Sequence, residues 1–393
     1  MKRMTTKPLP VADAAVNTDP IAPTKARYLM IGGFLGAGKT TAVGRLAQHF
    51  TQKGLRVGLI TNDQGSGLVD TTLLRARGFA TEEIPGGCFC CRFNSLMEAA
   101  TRLTTANRPD VFIAEPVGSC TDLVATVTYP LRRIYGESFA IAPLSVLVDP
   151  VRAGRVLGLE AGARFSEKVV YIYRKQLEEA NLIVINKSDL LDDARREGLR
   201  DALTREFPRA EILSVSARTG AGLEPWLARL GIAEQSSSDA MPVDYDLYAE
   251  GEALLGWLNA TIQLASVSSF EAGDVLTTLA RGIQETLQVE RAEIAHLKMT
   301  LSPDAGLGGL AVVNLVRNDF VPELSQELEE AIPSGQLILN LRAEGAPEIL
   351  RQAVETALAN LPAQFPGISA RLDHLERFRP GRPTPTHRLT SPN

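Results

Sequence analysis

The sequence predicts an α/β protein: a doubly wound, mostly parallel sheet over residues 27–232, followed by a smaller α+β, ferredoxin-like unit over 251–363. Three observations predict it. Six short apolar runs ("RYLMI", "LRVGLIT", "DVFIA", "LSVLVD", "NLIVI" and "AEILSV") alternate with amphipathic stretches. That is the pattern of strands buried on both faces and their crossover helices. A glycine-rich turn joins the first run to the first helical stretch. Past residue 232 continuous apolar runs give way to strict alternation, the mark of half-buried strands.

Residues 1–26 begin basic, contain no apolar core and carry Asp13 and Asp19, so they read as a disordered lead and not as a signal peptide. The first run then enters "GGFLGAGKTT", where Gly33, Gly38, Lys39 and Thr40 satisfy GxxxxGK[ST]. This is the phosphate loop of a P-loop NTPase. Its glycines let backbone N–H groups wrap phosphate oxygens at a helix N-terminus whose dipole favours negative charge. Gly33, Gly36, Ala37, Gly38, Lys39, Thr40 and Thr41 are the loop residues expected to bind nucleotide. Lys39 is the catalytic cation reaching the β- and γ-phosphates, and the Thr40 hydroxyl ligates Mg2+.

The run "NLIVI" ends in Asn186, Lys187 and Asp189, an NKxD pattern. A carboxylate at Asp189 accepts both N1–H and N2–H of guanine, which adenine does not offer. Asn186 then braces the loop or reaches the base, and Lys187 lies over the ring. "SVSARTG", at the end of the next run, places Ser216 and Ala217 beside the base, with the Ala217 N–H available to guanine O6. The order of these loops selects GTP.

"DVFIAEPVGS" ends a strand on Glu115, with Gly118 three residues on. Glu115 is the second catalytic candidate, holding Mg2+ or orienting water, and Gly118 lets a backbone N–H approach the γ-phosphate. Asp149 competes for the acidic role but lacks a trailing glycine. "TNDQGSGLVD", from Asp63 to Asp70, suits a loop ordered by Mg2+ and γ-phosphate.

Three of the four cysteines, Cys88, Cys90 and Cys91, fall in "GGCFCC". Without an export signal they are expected in a reducing cytoplasm, where clustered thiols bind metal or do redox chemistry. Thiolates favour Zn2+ and similar ions, and three ligands leave an open position suited to handing metal on. Cys120 is either a fourth ligand or a small buried residue.

Residues 233–250, with "AEQSSSDAMPVD", read as a linker. In "WLNATIQLA", Leu258, Ala260, Ile262 and Leu264 alternate with Asn259, Thr261 and Gln263. Leu276, Leu279, Ala280, Ile283 and Leu287 mark one helix face. Strands "AEIAHLKMT", "AVVNLVR" and "QLILNLR" follow, with a short helical pattern (Leu324, Leu328, Ile332) between the last two. "APEILRQAVETALANL" adds a longer helix, and 364–393 is a Pro- and Arg-rich tail. A net charge of −5 and pI near 5.6 argue against nucleic acid as partner, and no apolar run is long enough to span a bilayer.

Taken in order, "GGFLGAGKTT", "GGCFCC", "EPVG" and "NKSD" resemble the CobW-type metallochaperone GTPases, relatives of HypB and UreG. The resemblance covers about residues 27–231. It implies a P-loop GTPase, an Mg2+-dependent nucleoside-triphosphate hydrolase, that delivers zinc, cobalt or another metal to a client metalloprotein. By position, Cys88, Cys90 and Cys91 are its metal-binding cysteines, and Glu115 is the acidic residue of its ExxG element. The family's NEFGEVGID stands here as "NDQGSGLVD", with Ser66 for an acidic residue, and the four histidines are scattered. Self-association is left open. The alternative is a regulatory GTP switch with structural zinc; a small-molecule kinase is disfavoured by the guanine loop.

Overall fold

Why the phosphate loop lies where it does follows from one strand. The computed structural model describes residues 25–63, 69–235, 240–304 and 309–391. Strand β1 (Ala26–Gly33) runs through the middle of a parallel sheet with β2 (Val57–Asn62), β3 (Ala80–Ile84), β4 (Val111–Glu115), β5 (Phe139–Ile141), β6 (Ser145–Val148), β7 (Leu182–Ile185) and β8 (Glu211–Ser214). The order is β3-β2-β4-β1-β6-β7-β8, with β5 on the first half of β1 beside β6. Helices cover both faces, so the strands are buried and their apolar runs continuous. Ligands of such sheets sit in the crevice at the carboxyl ends of the strands, where the order reverses, and here that point is the end of β1.

All six apolar runs are strands; β3 and β5 are additions. β3, "ATEEI", escapes the apolar-run criterion because it is a sheet edge that leaves Glu82 and Glu83 half-buried.

Gly33 shows how tightly the end of β1 is set. Its φ is +132°, and a Cβ there would lie 2.4 Å from the Leu147 carbonyl oxygen on β6. Gly33→Ala therefore meets backbone strain and a backbone clash together, and a loss of about 2–4 kcal/mol is expected. A chemical-denaturation midpoint unchanged from the wild type would contradict this packing.

The second sheet is antiparallel. Its strands β9 (Leu255–Phe270), β10 (Glu293–Pro303), β11 (Ala311–Leu315), β12 (Glu323–Gln326), β13 (Ile332–Glu344) and β14 (Ile368–Phe378) lie in the order β12-β11-β10-β13-β9-β14. Leu258, Ala260, Ile262 and Leu264 pack with Leu297, Met299, Leu339 and Leu341 under helices Ala272–Val289 and Pro347–Gln364. Each fully buried Leu or Ile in that layer stabilises by about 1.5–3 kcal/mol. The alternate residues, including His296, Lys298, Asn340, Arg342 and Trp257, form a polar face turned toward the first sheet.

Three sequence readings are corrected here. Leu324, Leu328 and Ile332 are not helical: Leu324 lies in β12, Ile332 opens β13, and Leu328 falls in the connection between them. A spacing of four fits a strand's period of two as well as a helix's 3.6. The stretch 364–393 is not all tail, because β14 pairs along β9 from Ile368 to Phe378. The 233–250 stretch contains the start of helix Tyr245–Leu254, capped by Asp244 Oδ1, which accepts from the N–H groups of Asp246 (2.9 Å) and Leu247 (3.1 Å). The disordered lead read at 1–26 falls, up to residue 24, outside the described residues, as does Ser66. Among the described residues no helix is long and apolar enough to cross a membrane.

Candidate functional site

A cavity of about 1030 Å³ opens between the carboxyl ends of the parallel strands and the polar face of the second sheet. That is ample for a nucleotide. Gly36, Gly38, Lys39, Thr40, Thr41, Glu115, Gly118, Asn186, Lys187, Asp189 and Ala217 line it. Gly33, Ala37 and Ser216 stand behind that wall as supports, and the cysteines lie outside it.

Lys39 opens helix Lys39–Gln52 and is buried, with its Nζ donating to Gly33 O at 2.9 Å. Burial pulls its pKa down, and the Glu115 carboxylate opposes that. Thr40 Oγ1 lies 2.6 Å from Asp70 Oδ1 and 3.0 Å from Glu115 Oε1. Burial, then the charge of Asp70, pushes Glu115 up to about 7. Its Oε2 is buried with no hydrogen-bond partner among the described residues. A hydroxyl and two carboxylates around one point, one oxygen unsatisfied, form the hard-oxygen set that Mg2+ takes. Asp149 does not compete. Oδ2 accepts from Lys187 Nζ (2.9 Å), while Oδ1 accepts from Arg317 (3.2 Å) and caps the next helix through Arg152 N (3.0 Å).

The base-side loop is braced rather than open. Asn186 donates to Ala37 O at 2.9 Å and accepts the Ala217 N–H at 3.0 Å, tying both loops together. Ala217's N–H, expected to face guanine O6, is held by Asn186 at the cavity wall. Lys187, in the left-handed region at φ 53°, donates to Gly36 O at 2.8 Å. Asp189 bonds Arg218, which also pairs with Glu323 of β12 at 2.9 Å.

The glycines before the thiols have a local cause. Gly86 (φ 74°) and Gly87 (φ 149°) turn the chain so that Cys88, Cys90 and Cys91 converge. Their sulfurs lie 2.7 Å (Cys88–Cys90), 3.2 Å (Cys88–Cys91) and 3.6 Å (Cys90–Cys91) apart. The adjacent pair Cys90 and Cys91 does not diverge. Cys88 O accepts from Cys91 N (3.1 Å) and Arg92 N (2.9 Å), folding the loop over the start of helix Phe93–Asn107. Cys120 is buried and interacts with Cys88 and Cys90. Hydrogen bonds from Cys120, Cys90 and Cys91 hold Cys88 well below the ordinary cysteine value, while the bond to Cys88 pushes Cys91 up to about 11. Cys88 is thus the most readily ionised of the three, which suits it to anchor a soft metal ion. All four cysteines are free of disulfides.

The chain's end reaches this loop. Thr386 N donates to Cys90 O (2.8 Å) and Thr384 N to Cys91 Sγ (3.2 Å), and His387 meets Phe93 edge-on at 5.0 Å. Arg388 Nε pairs with buried Asp122 at 2.7 Å.

Sequence reasoning missed the contributors from the C-terminal unit, among them Lys298, Asn340 and Arg342 on the second sheet and Arg317 just beyond β11. The only available signal was the polar half of alternating strands such as "AHLKMT", which reads equally well as a solvent face.

The sequence model of the CobW/HypB/UreG nucleotide-binding domain matches residues 27–214. Zinc chaperone CobW of Sinorhizobium sp is 31% identical over 229 residues, covering 53% of this chain and 63% of that protein. Zinc chaperone YeiR of Escherichia coli (strain K12) is 31% identical over 166 residues, 42% of this chain and 47% of its own. Zinc-regulated GTPase metalloprotein activator 1 of Dictyostelium discoideum is 24% identical over 212 residues, 47% and 44% respectively. The chain thus spans about half to two thirds of the length of these relatives. Residues 27–214, which carry the parallel sheet and its phosphate and base loops, thus match the CobW/HypB/UreG nucleotide-binding domain.

Proposed function

We propose that this protein binds GTP and Mg2+ in the cavity, hydrolyses GTP, and passes zinc or cobalt from the Cys88–Cys91 loop to a client metalloprotein in the cytoplasm. The observation that carries the reading is the meeting of Lys39, Thr40 and Asp189 on one nucleotide-sized cavity, with three convergent thiols on the loop after β3 at the same sheet end. The zinc-chaperone relatives support the cargo. Mg2+, when bound, would supply charge neutralisation at the phosphates through Thr40, Asp70 and Glu115. The chain's part is positioning: Lys39 presents a fixed ammonium, the loop amides cradle oxygens, and Gly118 leaves room for backbone to approach. At Gly118 a Cβ would lie 3.0 Å from Leu35 N and closer still to the Leu35 side chain. Hydrolysis in this scheme sets the conformation of the loops that hold the thiols.

Asp189 tests the base. Asp189→Asn replaces a double acceptor by a group that donates to xanthine O2. GTP binding should weaken by about 2–3 kcal/mol, roughly 30- to 150-fold, with xanthosine triphosphate binding improved. Fluorescent-nucleotide titration reads both. An unaltered preference for GTP over ATP and the xanthosine analogue would refute the guanine assignment. Metal analysis of protein purified without chelators tests the cargo, and a metal-free protein unable to take up zinc would end the chaperone reading.

A further inference from the structure

The second sheet holds both ends of the segment that joins β2 to helix Val69–Ala76. Arg342 donates to the two Asp63 carboxylate oxygens at 3.1 and 3.2 Å, and Asn340 Oδ1 accepts from Val69 N at 3.1 Å. Lys298, directly opposite Asn340 across β10 and β13, reaches further. Its Nζ donates to Thr40 Oγ1 at 3.0 Å and to Asp70 Oδ1. A half-buried ammonium from the C-terminal sheet is therefore seated on two of the three side chains that fit Mg2+.

Resting on the GTP and Mg2+ reading above, we infer that Lys298 is a tethered cation competing with Mg2+ for Thr40 and Asp70, so that loading Mg2+ with nucleotide ejects it. The physical ground is charge and valence. Asp70 Oδ1 accepts from Thr40 and from Lys298. A divalent ion on the same oxygens would face an ammonium at contact distance, a repulsion that the partly buried surroundings do not screen away. Asp70 keeps one cation or the other. Because Lys298 lies between β11 and β13, its displacement acts on the sheet that also grips Asp63 and Val69. The nucleotide state is thereby communicated to the C-terminal unit through one side chain. Removing the ammonium also leaves Asp70 without its ion pair, which raises its avidity for the metal.

The experiment is a Mg2+ titration of the full chain with a fluorescent non-hydrolysable GTP analogue, in wild type, Lys298→Met and Lys298→Arg. The half-saturating Mg2+ concentration should fall about tenfold in Lys298→Met, within the usual range for coupled sites, and stay near wild type in Lys298→Arg. Lys298→Gln keeps a donor without the charge; it should shift in the same direction and guards against misfolding of the Met variant, with melting curves as the check. An unchanged or higher Mg2+ requirement in the folded neutral variants overturns the competition while leaving GTP binding intact. Failure of the wild type to bind the analogue at saturating Mg2+ would instead remove the nucleotide reading, and this inference with it.

Discussion

Lys39→Ala is expected to cut GTP turnover by about 10²–10³-fold or more and to weaken triphosphate binding, while leaving the protein folded. The rate loss is the scale seen when one preorganised charge or donor is withdrawn from a developing anion. Lys39 is only 8% exposed and turned back onto the Gly33 carbonyl. Burial disfavours its charged form and Glu115 restores part of that loss, so the ammonium is held in place at a cost that only a phosphate repays. Substitution by alanine removes that buried charge together with its hydrogen bond. The two effects oppose each other, and stability should change by no more than about 1–2 kcal/mol. Phosphate release and thermal melting check the two halves. A folded Lys39→Ala protein with normal turnover would show that the cavity is not where hydrolysis occurs.

The parallel sheet was legible in the sequence because every strand buried on both faces needs a continuous apolar run, and six such runs are present. The loops were legible for a related reason: phosphate and base contacts depend on residues adjacent in the chain, so Lys39 beside Thr40 and Asn186 near Asp189 keep their spacing. What escaped is long-range. Lys298 is 258 positions from Thr40, and no local pattern separates a lysine facing a nucleotide site from one facing water. The edge strand β12 and the paired β14 escaped because charged and apolar residues share them without a clean period. The docking of Thr384 and Thr386 on the thiol loop rests on backbone N–H groups, which any residue other than proline supplies.

Metal affinity at the Cys88–Cys91 loop is expected to differ between the GTP-bound and GDP-bound protein by about 5- to 150-fold, a coupling of roughly 1–3 kcal/mol. The route is short. Thiol loop, Asp63 segment and Glu115 follow β3, β2 and β4, three neighbours in the sheet. Asn62, the last residue of β2, donates to Gly87 O at 2.6 Å and to Ile84 O at 2.8 Å, tying the residue before Asp63 to the residue before Cys88. From the other side, Cys120 follows Gly118 by two positions and interacts with Cys88 and Cys90. A γ-phosphate that reorders the segment after Asn62 or the Glu115–Gly118 turn thus pulls on the thiols from two directions. By reciprocity, metal must change the preference for triphosphate over diphosphate by the same factor. Competition titration with a zinc or cobalt chromophore, against a non-hydrolysable GTP analogue and against GDP, measures it. Replacing Cys88, Cys90 and Cys91 together by Ser should remove high-affinity metal binding altogether, since the thiolates supply the binding energy. Asn62→Ala should keep the metal and bring the ratio between the two nucleotide states toward one. Equal affinity in both states for the wild type would make the thiols a structural site, with GTP hydrolysis serving some other end.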